Sequence, residues 1–260
     1  MQKCKWTIAQ TKERGDVRRR MLINKETCID CGICVSRCPV GAIKTDAPEG
    51  IQVDLDECVE CGVCKRLRMC PTEAIYQQPL TWPRTIRSLM SDELVVAEET
   101  GISGRGTEEM KTNDVTGRFK PGWAGLAIEL GRPGIAARMY DMEKVAMAVA
   151  KEGVEFEKAN PITSMMADPK TGKFKEELLN ERVLSGVIEL VIPLEKVPAI
   201  ISRLKEVEPQ LDTVFSLGII SKVEPDGTIP HVKVIQDLGL WISPNGKNNV
   251  GLGRPLAKED

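Results

Sequence analysis

From Trp123 onward the apolar positions of this chain alternate between two periods. Trp123–Leu130 is apolar at almost every position and is closed by Gly131-Arg132-Pro133-Gly134, which predicts a strand ended by a turn. The period then lengthens: Met142, Val145, Ala146 and Val149 share one face of a helix expected to run from a capping Asp141 to about Glu152, with Gly153 as its stop. A short strand over Val154–Phe156, a turn at 168–172 and a strong strand over Val187–Ile192, apolar apart from Glu189, follow. Val197, Ile200, Ile201 and Leu204 mark a second helix over about Glu195–Glu206. Thr213–Ile220 reads as a strand, Glu224-Pro225-Asp226-Gly227-Thr228 as a turn, and His231–Ile235 as a returning strand. Strand, helix, strand thus occurs twice in outline, with Glu-Lys-Val at 143–145 and again at 195–197. The fold class expected is α+β, a sandwich of the split βαβ kind with an antiparallel or mixed sheet and its helices on one face.

Before Trp123 the pattern is different. Arg20–Ile23 and the alternating Gly50–Leu55 predict two short strands, each entering a loop dense in cysteine. Gln77–Arg84 holds two prolines and no period, so it reads as a linker. Ser88–Phe119 is polar and glycine-punctuated, with a short strand expected at Leu94–Val96. The division expected is a cysteine-bearing module over 1–78, a linker and glycine-rich loop over 79–122, the α+β unit over 123–239 and an irregular tail over 240–260. No run of eighteen apolar residues could span a bilayer, and the Met1–Lys5 start lacks a signal-peptide core.

The chemistry lies in the two loops. The first carries Cys28, Cys31, Cys34 and Cys38 followed by Pro39; the second carries Cys58, Cys61, Cys64 and Cys70 followed by Pro71. Three cysteines at a spacing of three let one curling loop aim three thiolates at a point, while the proline after the fourth turns the chain away. Zinc is satisfied by four ligands, usually two CxxC halves, and gives no reason for a third cysteine or for the Cys-Pro closures. Disulfides would set neighbouring cysteines in competition for partners. A pair of [4Fe–4S] clusters accounts for the spacing. Ile29, Ile33, Val35, Val59 and Val63, between the ligands, are expected to keep water off the sulfurs.

This stretch resembles the bacterial two-cluster ferredoxins. The first run matches their C-x2-C-x2-C-x3-C-P pattern, whereas five residues, Lys65–Met69, separate Cys64 from Cys70 in the second. Val40-Gly41-Ala42-Ile43 and Thr72-Glu73-Ala74-Ile75 repeat one cap, so residues 28–45 and 58–77 form an internal duplication. The resemblance implies crossed ligation, in which each run lends its fourth cysteine to the other cluster. Cys28, Cys31, Cys34 and Cys70 would hold one cluster, and Cys58, Cys61, Cys64 and Cys38 the other. Cys4 is left over, as an ordinary thiol or a further ligand.

Charge refines the expected role. Residues 1–80 contain thirteen Lys/Arg against eleven Asp/Glu, a formal +2, and the remainder is −4. Free ferredoxins are more acidic, which steers them to basic partners. Arg18-Arg19-Arg20 and Lys65, Arg66 and Arg68 fit instead a fixed relay or the receiver of an acidic ferredoxin-type donor, or else form a solvated basic face. The three cations of the second loop are expected to raise the potential of the nearby cluster. Nucleic acid is not expected, because the basic groups are not interleaved with aromatics.

Gly104, Arg105, Gly106 and Thr107 could cradle an anion such as a flavin phosphate or a carboxylate, with Glu108, Glu109, Asn113 and Asp114 nearby; equally, this could be an exposed loop against the cysteine module. Ser103–Gly117 with Gly131–Gly134 resembles a stretch of the 6-hydroxynicotinate reductases, which implies an anaerobic reductase, reported with flavin, that acts on an electron-poor ring. The sole histidine, His231, alternates with Lys233 and is expected to face solvent. The expectation is therefore a cytoplasmic, hetero-oligomeric iron–sulfur subunit that relays single electrons to or from a larger reductase. The alternatives are a reductase of cyclic carboxylates in its own right, and a cluster-bearing assembly or sensing protein.

Overall fold

The computed structural model describes residues 20–95, 119–132 and 134–244. Its first part is a small duplicated unit. Strand β1 (Met21–Ile23) precedes the first cysteine loop, β2 (Ile43–Lys44) follows it, and β3 (Gln52–Val53) precedes the second loop. Helix α1 (Val63–Arg66) lies within that second loop and β4 (Ile75–Gln77) follows it. β1 pairs antiparallel with β4, and β2 with β3, so each strand before a loop is zipped to the strand after the other. The interior of this unit is small: Met21, Ala42, Ile43, Ile51, Val59, Ala74 and Ile75, with Cys58 and Cys61 among the buried residues.

A helix that the sequence did not mark follows the linker. After Trp82–Pro83, a cis peptide, the chain forms α2 (Thr85–Ser91). Ile86 and Met90 of this helix are buried in the main core, and the Ser91 hydroxyl accepts a hydrogen bond from the Leu184 backbone N–H at 2.8 Å. Of the strand expected at Leu94–Val96, Leu94 lies in a turn and Val96 falls outside the described residues.

The larger unit begins with β5 (Trp123–Leu130), then β6 (Ala137–Arg138) and α3 (Met139–Ala150). Short elements follow: α4 (Pro161–Ser164), β7 (Met166–Asp168), β8 (Lys173–Phe174) and β9 (Arg182–Val183). It closes with β10 (Gly186–Pro193), α5 (Val197–Val207), β11 (Phe215–Ser221) and α6 (Pro230–Asp237). The sheet is antiparallel in the order β10–β5–β11. Ala124, Leu126, Ile128 and Leu130 put one face of β5 wholly in the core, opposite Ile192, Leu190, Ile188 and Gly186 of β10. The apolar faces of α3 and α5 complete that core.

Four expectations need correction. The strand at Val154–Phe156 is reduced to one antiparallel bridge, Phe156 to Leu190. Asp141 does not cap α3: Arg138 stands at the N-cap, and Asp141 is buried in the first turn, where it accepts from Lys144 Nζ and from the Asp212 backbone N–H. Residues 231–235 are helical, because Pro230 at the first helical turn presets φ and Lys233 pairs with Asp237 one turn on. That winding turns His231 inward, half-buried, with Nδ1 2.7 Å from the Ser221 hydroxyl, rather than out to solvent. At the start of the tail, Leu240 and Ile242 pack against the core.

Candidate metal centre

Both cysteine loops are shaped by the same backbone devices. Asp30 and Glu60, each just before the second cysteine of its run, adopt positive φ, as do Gly32 and Gly62 just after it. These left-handed residues curl the loops so that three thiols converge. The turns are tied in equivalent pairs: Cys28 N–H to Asn24 O at 2.9 Å matches Cys58 N–H to Asp54 O at 3.0 Å. Asn24 N–H to Ala74 O (2.8 Å) likewise matches Asp54 N–H to Ala42 O (2.7 Å), so each loop is anchored on the cap of the other.

The carboxylates complete this exchange. Asp30 Oδ1 accepts from Ile51 N–H at 2.9 Å, at the entry to the second run, while Glu60 Oε2 accepts from Met21 N–H at 3.1 Å, at the entry to the first. Neither residue stood out in the sequence. Their matching places before the second cysteine of each repeat were the signal that could have found them.

Two cavities result. One is lined by Cys28, Cys31, Cys34 and Cys70, the other by Cys38, Cys58, Cys61 and Cys64. Each gathers three cysteines from one run and the fourth from the other, despite the longer Cys64–Cys70 interval. The fourth sulfurs are already engaged: Cys38 Sγ accepts from Ala42 N–H at 3.1 Å and Cys70 Sγ from Ala74 N–H at 3.2 Å. Four sulfurs set around each cavity suit the corners of a polynuclear cluster, and the donor set fits such a group.

The cavities differ in exposure. Cys58 and Cys61 are buried, and Val59 and Cys61 pack on Ala136 and Leu184 of the larger unit. Cys31 is exposed, and Ile29 and Ile33 are 62% and 45% exposed, so the first run does not keep water from its sulfurs as expected. The first cavity is therefore outer and the second inner. Burial pushes the thiols of Cys58 and Cys64 up to about 12, helped by Glu60 at the former and by Cys61 and Cys38 at the latter. Burial also raises Cys61 and Cys34. At Cys70 burial is outweighed by hydrogen bonds from the Thr72 hydroxyl and nearby backbone N–H groups, so that thiol lies below its ordinary value. Metals bind thiolates, so loading the inner cavity must expel protons from reluctant thiols.

Of the basic residues, Lys65 and Arg68 are exposed, but Arg66 turns back to Asp92 at 2.6 Å, which compensates its charge. Cys4, Arg18, Arg19 and the loop bearing Gly104, Arg105, Gly106, Thr107, Glu108, Glu109, Asn113 and Asp114 lie outside the described residues.

Residues 21–44 match the 4Fe-4S binding domain family, which defines that segment as iron–sulfur binding. The kind is narrower: 32 residues are 53% identical to a ferredoxin of Rickettsia felis, covering 12% of this chain and 29% of that protein. The amino-terminal part of the chain thus carries a ferredoxin-type iron–sulfur segment, and the chain spans less than a third of the length of that curated relative. No solved structure matches the chain. Among the described residues no helix is long and apolar enough to cross a membrane.

Proposed function

We propose that this chain is an electron-transfer subunit that relays low-potential electrons, one at a time, through two [4Fe–4S] clusters to or from a larger oxidoreductase. The observation that carries the reading is the sorting of eight cysteines into two cavities, three from one run and one from the other in each. Cys28, Cys31, Cys34 and Cys70 hold the outer cluster; Cys38, Cys58, Cys61 and Cys64 hold the inner one. Bound clusters supply reversible one-electron chemistry. The chain itself fixes the thiolates and donates backbone N–H groups to the sulfurs of Cys38 and Cys70. Packing of Val59 and Cys61 on Ala136 and Leu184 shields one side of the inner cavity.

The asymmetry suggests a direction. Electrons exchange with a mobile ferredoxin-type donor at the exposed outer edge, and the inner cluster faces the α+β unit. That unit we read as a split βαβ fold, since the bridge at Phe156 extends the strand order to β11–β5–β10–Phe156. The domains are a cluster module to residue 78, a connection to residue 122 that includes α2, the α+β unit to residue 239 and a tail. The setting is a cytoplasmic hetero-oligomer of anaerobic metabolism.

Anaerobic tagged purification tests the reading. It expects a larger redox protein to copurify, no organic cofactor on the isolated chain, and bleaching of the chain's visible absorption by a reduced acidic ferredoxin. Bound flavin, or oxidation of the isolated reduced chain by a cyclic carboxylate, would replace the relay with an enzyme.

A further inference from the structure

The inner and outer loops repeat one another in backbone, but among the described residues the arginines that reach a cysteine loop from outside the module converge on the inner one. Arg87, in α2, is 4% exposed. Its Nη1 donates to three carbonyls of the inner loop: Cys58 O at 2.8 Å, Asp56 O at 2.9 Å and Leu55 O at 3.3 Å. Its Nε donates to Glu181 of the larger unit. One turn earlier Arg84 pairs with Glu60, which is fully buried between Cys58 and Cys61. Arg138 and Arg182 reach Asp56 and Glu57 on the loop's outer side. The corresponding stretch of the outer loop, Asn24–Cys28, shows no arginine donating to its backbone among the hydrogen bonds of the described residues.

Three backbone carbonyls aimed at one guanidinium nitrogen form an arrangement that a solvated cation would not need. Charge-assisted bonds of this kind are the strong ones, and a buried arginine held by them fixes the loop in one shape. A desolvated cation beside one cluster also acts on that cluster more than on its more distant twin, because the interior screens it weakly. Reduction adds negative charge to a cluster, so a neighbouring cation favours the reduced form.

Resting on the two-cluster reading above, the geometry points to Arg87 as a positioning residue of the inner cluster: it sets the path of Leu55–Cys58 and holds the inner potential above the value it would otherwise take. Glu181 is its counterweight. α2 is thereby the part through which the larger unit acts on the module.

The test uses the full chain, purified anaerobically, with iron content and an EPR-monitored reductive titration. Cys58→Ala identifies which signal belongs to the inner cluster. Arg87→Gln is expected to shift the inner potential downward, or to lose the inner cluster alone with about half the iron, while the outer potential stays at its native value. Arg87→Lys, which keeps the charge, is expected to restore the inner potential most of the way. Should Arg87→Gln fail to fold, Glu181→Gln removes the counter-charge instead and is expected to shift the inner potential upward. Native iron with both potentials unchanged in Arg87→Gln overturns the inference, as does an equal shift or loss at both clusters, or an unmoved inner potential in Glu181→Gln where that variant is the one measured. A wild-type chain without two iron–sulfur signals would instead sink the two-cluster reading itself.

Discussion

Cys58 and Cys31 have the same chemistry and opposite surroundings. Buried beside Glu60, Cys58 holds its proton to about 12, whereas Cys31 is exposed. Replacing Cys58 with alanine is expected to abolish the inner EPR signal, halve the iron and leave the outer signal. Replacing Cys70 is expected to remove the outer signal, although Cys70 follows the inner run in sequence. Loss of the inner signal on removing Cys70 would contradict crossed ligation. His231 offers a pH test. Burial holds its pKa below the ordinary 6.5, so between the two values the unfolded chain binds more protons than the folded one. Stability should then be complete above the unfolded value and be lost as the pH falls through the folded one. A His231→Gln variant is expected to show a smaller change in urea midpoint between about pH 5 and pH 8 than the wild type; an equal change in both would remove His231 from the account.

At the scale of elements, the periodic segments were legible and the short ones were not. β5 occupies the predicted Trp123–Leu130, and β10 and α5 lie within a residue or two of expectation, because each carries a full apolar face. α2 was hidden: at seven residues, behind two prolines, its Ile86, Leu89 and Met90 give only one turn of pattern. α6 was misread because Val232, Val234 and Ile235 satisfy either period over so short a span, and Pro230 decides it. Met90 is 1% exposed in the main core, so Met90→Ala should cost about 2–5 kcal/mol, read as a lower urea midpoint. Gly172 is the sharper case, since it combines φ +74° with a Cβ position 2.5 Å from the Ala146 backbone. Gly172→Ala should therefore destabilise by more than about 1 kcal/mol, and an unchanged midpoint would refute that close packing of the turn on α3.

Across the whole molecule, the cysteine spacing made the ligand candidates legible, and the resemblance supplied their pairing. The spacing could not reveal which cavity is the inner one. That depends on residues remote in sequence, Arg87, Ala136, Arg138, Arg182 and Leu184, whose roles exist only once the two units are packed together. The exposed cations Lys65 and Arg68, flanking the exposed Leu67, stand between Cys64 and Cys70. Reversing both charges to glutamate is expected to slow reduction by an acidic ferredoxin several-fold at low salt. The effect should fade as salt is added and be absent with an uncharged photoreductant. Equal slowing with both reductants would place the effect on the clusters rather than on docking.

The most direct measurement is joint analysis of iron, sulfide and zinc with EPR of the reduced, anaerobically prepared chain. The account predicts about eight iron atoms and as many sulfides per chain, with a reduced spectrum broadened by two neighbouring spins. A colourless protein that carries zinc and stays EPR-silent after reduction would contradict it.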